Sequence, residues 1–298
     1  MNSNHWHILG AGAMGCLFAS QLVEAGCRVT LLLRHRPEAS SSSLTVDSEN
    51  SSNELTVQLD HAASTGEINH LLITTKAQDA VDAVKSIAPR IGKQASILFA
   101  TNGMGYAAAV KAFMPDNPIY YATSTEGAYR LDTLHIRHAG RGITRIGSAE
   151  GLPLPSWHED WRKTSLDCQW DDDITTALWH KMAINCAINP LTAIHQCLNG
   201  ELARRKQLKQ EVGNLCDEIA EVSLAAGFDT TAATLHEDVA AVIAGTANNR
   251  SSMLQDVAAG RSTEIDFITG YLLRTAQKYS LDLPHNKNVF NKVLALGL

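Results

Sequence analysis

The stretch Trp6-His-Ile-Leu-Gly10-Ala-Gly12-Ala-Met-Gly15 decides the fold of the first half of this chain. Its apolar start predicts a short β-strand that runs into a glycine-rich turn. The apolar residues Cys16–Ala25 then predict a helix, and Gly26 follows where helices commonly end on glycine. A second apolar run, Arg28–Leu33, predicts the next strand. The order is strand, G-x-G-x-x-G, helix and strand within one unit of about 30 residues.

Each glycine of this turn has a mechanical reason to be glycine. Gly10 permits a tight turn, Gly12 lets the backbone approach a pyrophosphate, and Gly15 allows close packing of the helix on the strand. The start of the helix adds N–H groups and the positive end of its dipole. A glycine-rich turn can also be purely structural, but in this context it predicts a Rossmann-type dinucleotide-binding domain. The residues predicted to contact the dinucleotide are Gly10, Ala11, Gly12, Ala13, Met14 and Gly15.

The end of the second strand indicates which dinucleotide binds. A site for NAD usually has Asp or Glu there, and its carboxylate accepts a hydrogen bond from the ribose 2′-hydroxyl. This strand ends Leu33-Arg34-His35-Arg36, without a carboxylate. A guanidinium suits the additional 2′-phosphate of NADPH, so Arg34, and with it Arg36, favours NADPH. The alternative is that both arginines are simply exposed on a polar loop.

Two later strands end in polar residues. His70–Lys76 predicts a buried strand, and Ser96–Gly105 predicts an apolar strand followed by a glycine-rich turn that contains Asn102. Ligands of parallel α/β sheets bind beyond the carboxyl ends of the strands, so Lys76 and Asn102 are candidates for contact with cofactor or substrate. Solvent exposure would also explain Lys76, and helix capping would also explain Asn102.

The rest of the first half predicts further strands and one irregular segment. Residues Ala39–Asn53 are rich in serine and predict a mobile loop, and Leu55–Leu59 alternates like an edge strand. Strands are also predicted at Ile119–Ala122, Leu134–His138 and Ile143–Ile146. Together these patterns predict an α/β dinucleotide-binding domain over residues 1–168.

Composition limits the classes of protein that fit. A chain of 298 residues is long enough for two domains. The formal net charge of −6 supplies no general attraction for nucleic acid. No apolar run is long enough to span a membrane, and the first strand starts too early to leave room for a signal peptide. Six cysteines without metal-type spacing predict free thiols, no metal site and a cytoplasmic location.

From Asp171 onward the sequence predicts helices and no strand, so the second half, residues 169–298, is expected to be an all-α domain. Its most informative stretch is Leu178–Ile194, a mostly apolar helix with a narrow polar stripe. Lys181, Asn185 and Asn189 are spaced four residues apart and therefore lie on one helical face. They must face a polar cavity or find partners, because burying them unpaired is costly. A snorkelling lysine with two capping or core-bonded asparagines is the alternative.

Two polar segments follow near the end of the chain. Asn248–Asp256 supplies amides and hydroxyls at a predicted helix start, and Gly260–Asp266 places Glu264 at the start of a helix running to Ala276. Taken alone, capping explains Ser252 and Glu264 adequately.

The chain as a whole resembles the ketopantoate reductase (2-dehydropantoate 2-reductase) family. The blocks that carry the resemblance occur in the family's order along essentially the whole chain. They are Gly10–Gly15, Thr75–Ala77, Asn102–Gly105, Gly142–Gly147, Leu178–Thr192, Asn199–Leu202, Ser251–Asp256 and Thr263–Asp266. The helix with Lys181 and the last two blocks are far more specific than the glycine-rich turn. The resemblance implies a Rossmann-type domain followed by an all-α domain of the 6-phosphogluconate dehydrogenase type.

The resemblance also implies an activity and the residues that carry it. The activity is NADPH-dependent reduction of 2-dehydropantoate to (R)-pantoate, on the route to pantothenate and coenzyme A. Lys181 is then the general acid, and Glu264 lies beside the substrate hydroxyl and the nicotinamide ribose. The residues that the resemblance assigns to substrate are Asn102, Asn185, Asn189, Asn199, Asn249 and Ser252. Those assigned to cofactor, besides the glycine-rich turn, are Arg34, Lys76, Asn102, Ala128 and Glu264.

Two other functions stay open at this point. The chain could reduce another branched 2-oxo acid, because the apolar wall of the pocket cannot be read from the sequence. It could also be a non-catalytic NADPH-binding sensor, although a pure binder needs none of Lys181, Asn185, Ser252 and Glu264. A monomer and a homodimer are equally compatible with the sequence, which has no heptad repeat.

Overall fold

The computed structural model describes residues 4–296 and divides the chain into two compact units. The first unit comprises the residues up to Thr101 together with Tyr106–Thr175. The second comprises the turn Asn102–Gly105 and the residues from Thr176 onward. The chain therefore does not divide at one point, because the turn Asn102–Gly105 belongs to the second unit although the residues on both sides of it belong to the first.

The described residues of the first unit form one sheet of eleven strands. The strands are β1 (His5–Leu9), β2 (Arg28–Leu33), β3 (Ser41–Asp47), β4 (Ser52–His61), β5 (Ile68–Ile73), β6 (Ile91–Phe99), β7 (Ile119–Ser124), β8 (Gly127–Asp132), β9 (His135–Gly140), β10 (Ile143–Gly147) and β11 (Asp167–Trp170). The helices of this unit are α1 (Ala13–Glu24), α2 (Ala77–Ile87), α3 (Tyr106–Phe113) and α4 (His158–Arg162), with a short 3-10 helix at Ala88–Arg90.

The middle of the sheet has the order β4-β2-β1-β5-β6-β7, and every neighbouring pair in this run is parallel. This order is that of the doubly wound dinucleotide-binding fold, with the reversal of strand order between β1 and β5. The predicted Rossmann-type domain is confirmed. Because ligands bind at such a reversal, the carboxyl ends of β1 and β5 mark the expected dinucleotide crevice.

The serine-rich segment is not a loop, and the prediction of a mobile loop over residues 39–53 was wrong. Strand β3 pairs antiparallel with β4 over seven residues, from Ser41 opposite Gln58 to Asp47 opposite Ser52. Leu44 is fully buried in the core of the unit, so one face of a Ser-rich strand is enough to anchor it. The predicted strand at Leu55–Leu59 lies inside the sheet between β2 and β3, and it is not an edge strand.

Beyond this hairpin the sheet continues with β9, where a strand was predicted, and ends with β8, which the sequence did not predict. Strand β9 pairs parallel with β3, and β8 pairs antiparallel with β9 at the end of the sheet. At the opposite end, β10 pairs antiparallel with β7 and parallel with β11. Strand β8 is mostly exposed and carries Tyr129 and Arg130, which offer no apolar alternation to identify it.

From Asp171 to residue 296 the structure has helices and no strand, as predicted. The helices are α5 (Ile174–His195), α6 (Glu201–Arg204), α7 (Lys206–Ala225), α8 (Asp229–Gly245), α9 (Ser252–Ala258), α10 (Thr269–Lys278) and α11 (Pro284–Leu294). None of the helices in the described residues is long and apolar enough to cross a membrane. The single helix predicted from Glu264 to Ala276 is instead a 3-10 turn at Ile265–Phe267 followed by α10, with Ile268 in a non-helical conformation between them.

Helix α5 runs through the core of the second unit. Trp179, Met182 and Leu191 are buried on it, and Trp179 stacks on Phe228 with ring centroids 4.5 Å apart. Pro190 lies inside the helix and cannot donate the N–H that would bond the carbonyl of Cys186. Helix α5 is therefore continuous but weakened in its own hydrogen bonding near its last turn and a half.

Burial disfavours the protonated form of several histidines in the first unit. His7 lies on the central strand β1, is 4% exposed, and has an Nδ1 atom without a hydrogen-bond partner in the described residues. Burial, with smaller contributions from His5 and Arg90, lowers the pKa of His7 to about 3. Burial also lowers the pKa of His5, His70 and His158. These side chains resist protonation in the folded state but accept protons once the chain unfolds.

We expect the protein to lose stability as the pH falls below the ordinary histidine pKa of about 6.5. Between pH 6.5 and about pH 3, His7 is protonated in the unfolded chain but neutral in the folded protein. The contribution of His7 to the free energy of unfolding is therefore fully present above pH 6.5 and declines as the pH falls through this range. At pH 5 this linkage amounts to about 2 kcal/mol for His7 alone. Chemical unfolding at pH 7.5 and pH 5 should show a smaller loss for His7→Gln than for the wild type. His35→Gln, on an exposed side chain after β2, is the control and should leave the loss unchanged.

Candidate active site

The glycine-rich turn after β1 is held by the end of β5. The Thr74 amide donates to the Leu9 carbonyl at 2.9 Å, and the Thr74 hydroxyl donates to the Gly10 carbonyl at 2.6 Å. Gly10 has φ +114°, a left-handed conformation that favours glycine, and a Cβ there would lie 2.7 Å from the Thr75 amide nitrogen. The turn is thus a close approach of two strand ends at the reversal of strand order.

The other two glycines of the turn have opposite surroundings. A Cβ on Gly15 would lie 1.9 Å from the Gly10 carbonyl oxygen and 2.6 Å from Thr74 Oγ1, so no side chain fits there. A Cβ on Gly12 would meet no atom within 4 Å. Gly12 is the residue before α1, and no side chain caps this helix start. An open backbone surface next to an uncapped helix N-terminus fits a pyrophosphate.

An arginine missed by the sequence reasoning also touches this turn. Arg130 on β8 donates from its guanidinium to the Ala11 carbonyl at 2.5 Å. Ala128, predicted to line the cofactor cleft, lies on the same strand and packs partly buried against the core of the first unit. Because β8 itself was not predicted, no sequence signal connected Arg130 with a turn 119 residues earlier.

The two predicted cofactor cations follow β2 and β5. Arg34 comes directly after β2, is 76% exposed, and has its guanidinium 3.5 Å from the Asp79 carboxylate on α2. Lys76 has extended backbone as the residue before α2 and is partly buried, so simple solvent exposure does not describe it. Arg34 is therefore an exposed cation beyond the end of β2.

In the second unit, Lys181 lies among partly and fully buried residues of α5, with its ammonium directed at a polar group. Lys181 Nζ donates to Asn102 Oδ1 at 3.0 Å. Burial lowers the pKa of Lys181 to about 8, and the Glu264 carboxylate partly opposes that shift. Glu264 is itself only 7% exposed. The partners of the ammonium thus include the Asn102 amide oxygen and the nearby buried carboxylate of Glu264.

The turn that carries Asn102 is held against the 3-10 turn after Glu264. The Met104 amide donates to the Phe267 carbonyl at 2.9 Å. Gly103 has φ +79°, and a Cβ there would lie 2.5 Å from the same carbonyl oxygen, so only glycine permits this approach. Helix α3 begins at Tyr106, which means that Asn102 does not cap it. The capping explanation for Asn102 was wrong, because its side chain bonds Lys181 instead.

The remaining predicted asparagines differ in their surroundings. Asn185 is partly buried and Asn189 is 6% exposed, both on α5 with Lys181. Asn199 is 7% exposed and donates from Nδ2 to Thr246 Oγ1 at 2.8 Å. Thr246 uses its own proton on the Val242 carbonyl, so it can only accept from Asn199, and this fixes the amide orientation. Asn199 Oδ1 is then a buried acceptor without a partner in the described residues.

Two adjacent serines at the start of α9 have different roles: one caps the helix and the other is exposed. Ser251, and not Ser252, caps α9 by accepting from the Leu254 amide at 3.0 Å. Ser252 is the first residue of the helix and is exposed, so capping does not explain it. Asn249 is also exposed, and its carbonyl accepts from the Asn199 amide at 3.1 Å. Nor does capping explain Glu264, whose side chain makes no capping hydrogen bond.

These groups define a class of protein. The first unit has the strand order, glycine-rich turn and exposed arginine of a dinucleotide-binding domain. The second has a partly buried lysine whose ammonium lies near a buried carboxylate. No group of three or more His, Cys, Asp or Glu side chains in residues 4–296 could hold a metal ion. A dinucleotide fold combined with a lysine acid is typical of a dehydrogenase or reductase.

Comparison with known proteins identifies the family. Residues 6–151 match the family model described as ketopantoate reductase PanE/ApbA, and residues 173–296 match the model of the C-terminal part of the same family. The chain therefore belongs to the ketopantoate reductase family. The two matches follow each other along the chain and together cover most of it.

Individual relatives agree with this assignment. A 2-dehydropantoate 2-reductase of Escherichia coli O157:H7 is 38% identical over 289 residues, which is 96% of this chain and 93% of the relative. The 2-dehydropantoate 2-reductase of Vibrio cholerae is 35% identical over 301 residues, covering 97% of this chain and 96% of the relative. The crystal structure of a probable 2-dehydropantoate 2-reductase of Bacillus subtilis superimposes with a TM-score of 0.83 at 28% identity, covering 98% and 99% of the two chains.

The contrast between Gly12 and Gly15 predicts two different effects of the same substitution. Gly15→Ala should destabilise the fold, because its Cβ meets backbone at 1.9 Å. Gly12→Ala meets nothing in the protein, so its melting temperature should change little while dinucleotide affinity falls by about tenfold or more. Thermal unfolding and titration of NADPH fluorescence would measure both. Unchanged NADPH affinity in Gly12→Ala would contradict the assignment of this turn to the pyrophosphate.

Proposed function

We propose that this protein is an NADPH-dependent 2-dehydropantoate 2-reductase that forms (R)-pantoate for the synthesis of pantothenate and coenzyme A. The observation that carries the proposal is the Lys181 ammonium, held 3.0 Å from Asn102 Oδ1 beside the buried carboxylate of Glu264. The family relationship supports the same conclusion, because relatives named 2-dehydropantoate 2-reductase match along almost the whole chain.

The residues of the first unit fit NADPH. The open backbone at Gly12 and the uncapped start of α1 suit the pyrophosphate, and Arg34 supplies a cation for the 2′-phosphate. Lys76 and Ala128 are proposed to line the same cleft. From the second unit, Asn102 and Glu264 are proposed to contact the nicotinamide half. When bound, NADPH supplies a hydride to the carbonyl carbon of the substrate.

The protein contributes the proton and the electrostatic stabilisation. As the carbonyl carbon is reduced, negative charge develops on the ketone oxygen, and the Lys181 ammonium is proposed to stabilise that charge. Lys181 Nζ then transfers a proton to this oxygen, so the product leaves with a hydroxyl group and the lysine regains a proton from solvent. A pKa of about 8 suits this role, because the lysine is protonated at neutral pH and yet gives up its proton readily.

The other polar residues of the second unit are proposed to hold the substrate. Ser252 and Asn249, both exposed at the start of α9, suit the substrate carboxylate, together with the helix N-terminus. Asn185 and Asn189 share a helical face with Lys181 and would contact the substrate beside the ketone. Asn199 Oδ1 is a buried acceptor in need of a donor, which the hydroxyl group of 2-dehydropantoate would supply.

The six cysteines are all free thiols, and five of them are buried. Thiols persist in reducing compartments, which supports our proposal of a cytoplasmic location. We propose no nucleic acid partner, and a monomer or a homodimer is compatible with the described residues. A relative of the same fold, from Staphylococcus aureus, is described as a dimeric ketopantoate reductase.

The first test is oxidation of NADPH with 2-dehydropantoate, run beside 2-oxoisovalerate and with NADH in place of NADPH. Rapid turnover should require both 2-dehydropantoate and NADPH. In the same assay Lys181→Ala should lose about 100- to 10,000-fold in kcat/KM with little change in NADPH affinity, because it removes a general acid. Lys278→Ala, an exposed lysine of α10, is the matched control and should behave like the wild type.

Each alternative outcome has a defined meaning. A preference for 2-oxoisovalerate would make the protein a reductase of another branched 2-oxo acid. Binding of NADPH without turnover of either acid would favour a sensor. Turnover that survives in Lys181→Ala would exclude this lysine as the acid.

The pH dependence of kcat/KM tests the pairing of Lys181 with Glu264. The acid works only when protonated, so kcat/KM should fall as the pH rises through about 8. The Glu264 carboxylate raises the pKa of Lys181 against the effect of burial. Glu264→Gln removes that charge, so the descending part of the profile should move to lower pH. A profile that keeps its position in Glu264→Gln would show that the two groups are not coupled.

A further inference from the structure

Two buried hydroxyl groups connect the acid helix α5 to the start of α9. Thr192 on α5 is fully buried and Ser251, the cap of α9, is 6% exposed. Their oxygens are 2.6 Å apart, although the residues are 59 positions apart in the sequence. Thr192 Oγ1 is also 2.9 Å from the Asn189 carbonyl, and Ser251 Oγ is 3.0 Å from the Leu254 amide.

The chemistry of the partners fixes the direction of each hydrogen bond. The Asn189 carbonyl can only accept, so Thr192 donates its single proton there. Thr192 must therefore accept from Ser251, which gives its own proton to Thr192 and accepts from the Leu254 amide. The path runs from the Leu254 amide through Ser251 and Thr192 to the Asn189 carbonyl. Both hydroxyl protons are used, so neither residue is available to donate to a substrate.

This path joins the two parts of the proposed substrate site. On α5 it ends at the backbone of Asn189, in the polar stripe that also contains Lys181. On α9 it ends at the cap, directly before Ser252. Pro190 removes a backbone donor from α5 at this level, so the last part of the helix depends more on bonds to its neighbours.

The backbone before α9 is also held by a second hydrogen bond, at Ala247. The position of the helix cap, Ser251, therefore depends mainly on its bond to Thr192. The Gly200 amide donates to the Ala247 carbonyl at 3.0 Å, and a Cβ on Gly200 would lie 2.8 Å from Ala247 Cβ. This contact positions the chain before Asn249. The position of Ser252 relative to α5 is then governed by the hydroxyl pair.

We propose that Thr192 and Ser251 are positioning residues that fix the distance between the carboxylate-binding serine, Ser252, and the acid helix. The inference rests on the proposed function, because it takes Ser252 as the site of the substrate carboxylate. The pair acts on substrate binding and leaves NADPH binding and the acid itself unaffected, since neither hydroxyl reaches Lys181.

Thr192→Val tests the proposal, because valine keeps the shape of threonine and removes the hydroxyl. It leaves Ser251 without its buried acceptor, and we expect the KM for 2-dehydropantoate to rise about tenfold or more. The kcat, the NADPH dissociation constant and the pH at which kcat/KM declines should stay within about twofold of the wild type. Thr192→Ser keeps the hydroxyl and should restore the KM.

Ser223→Ala is the matched control, because it removes another buried hydroxyl bonded to α5. Ser223 on α7 accepts from Trp179 Nε1 at 2.9 Å and donates to the Ile219 carbonyl at 2.7 Å. If the loss of any buried hydrogen bond to α5 raised the KM for 2-dehydropantoate, Ser223→Ala would raise it as well. We expect it to lower the melting temperature and to leave the KM for 2-dehydropantoate unchanged.

Ser251→Ala provides a second test if Thr192→Val does not fold. It removes the other end of the pair, so the KM should rise in the same way, and the double variant should be no worse than the worse single one. An unchanged KM in a folded Thr192→Val or Ser251→Ala protein, with wild-type turnover intact, overturns this inference alone. Absence of 2-dehydropantoate turnover in the wild type overturns the proposed function and this inference together.

Discussion

The cost of burying an ammonium group is the constraint on which the second unit depends. Lys181 lies on a helix whose neighbouring residues form the hydrophobic core, and an unpaired charge there would be strongly destabilising. Asn102 and Glu264 reduce that cost by a hydrogen bond and by opposite charge. Glu264 is buried as well, so removal of either charged group takes a favourable charge–charge interaction away from the other. The arrangement explains why a turn from between β6 and α3 belongs to the helical unit.

A different constraint shapes the first unit, where backbone must approach backbone. The ends of β1 and β5 come so close that Gly10 and Gly15 have no space for a side chain, and Thr74 completes the contact through its amide and its hydroxyl. Gly12 is free of this constraint and open on its outer side. Gly15 must therefore be glycine for the fold to form. Gly12 leaves open backbone at the surface where a ligand can approach.

Polar groups in the second unit are of two kinds: those that bond other parts of the protein, and those that are available to bind a ligand. The hydroxyl groups of Thr192, Ser251 and Thr246 donate to acceptors within the protein, so they position segments of the chain and cannot donate to a ligand. Asn199 Oδ1 is buried without a partner, and Ser252 is exposed next to a serine that already caps the helix. A buried acceptor without a donor is costly unless a ligand satisfies it, and this cost is the physical basis of our proposal that Asn199 contacts the substrate.

The sequence by itself determined what local pattern can encode. The glycine-rich turn between two apolar strands specified the dinucleotide fold, and the four-residue spacing of Lys181 and Asn185 specified one polar helical face. Arg34 could be proposed as a contact of the 2′-phosphate because it follows the second strand of that fold. These features depend on residues close together in the chain, where geometry follows from period and turn chemistry.

Only the tertiary structure decided which distant residues meet. The serine-rich hairpin β3–β4 is stable because Leu44 reaches the core, and neither β8 nor the contact of Arg130 with Ala11 has a local signal. In the same way, the sequence could not show that Ser251, and not Ser252, caps α9. Hydrogen bonds and burial between distant segments depend on packing, which overrides weak local propensity, and for that reason these features became visible only in the folded chain.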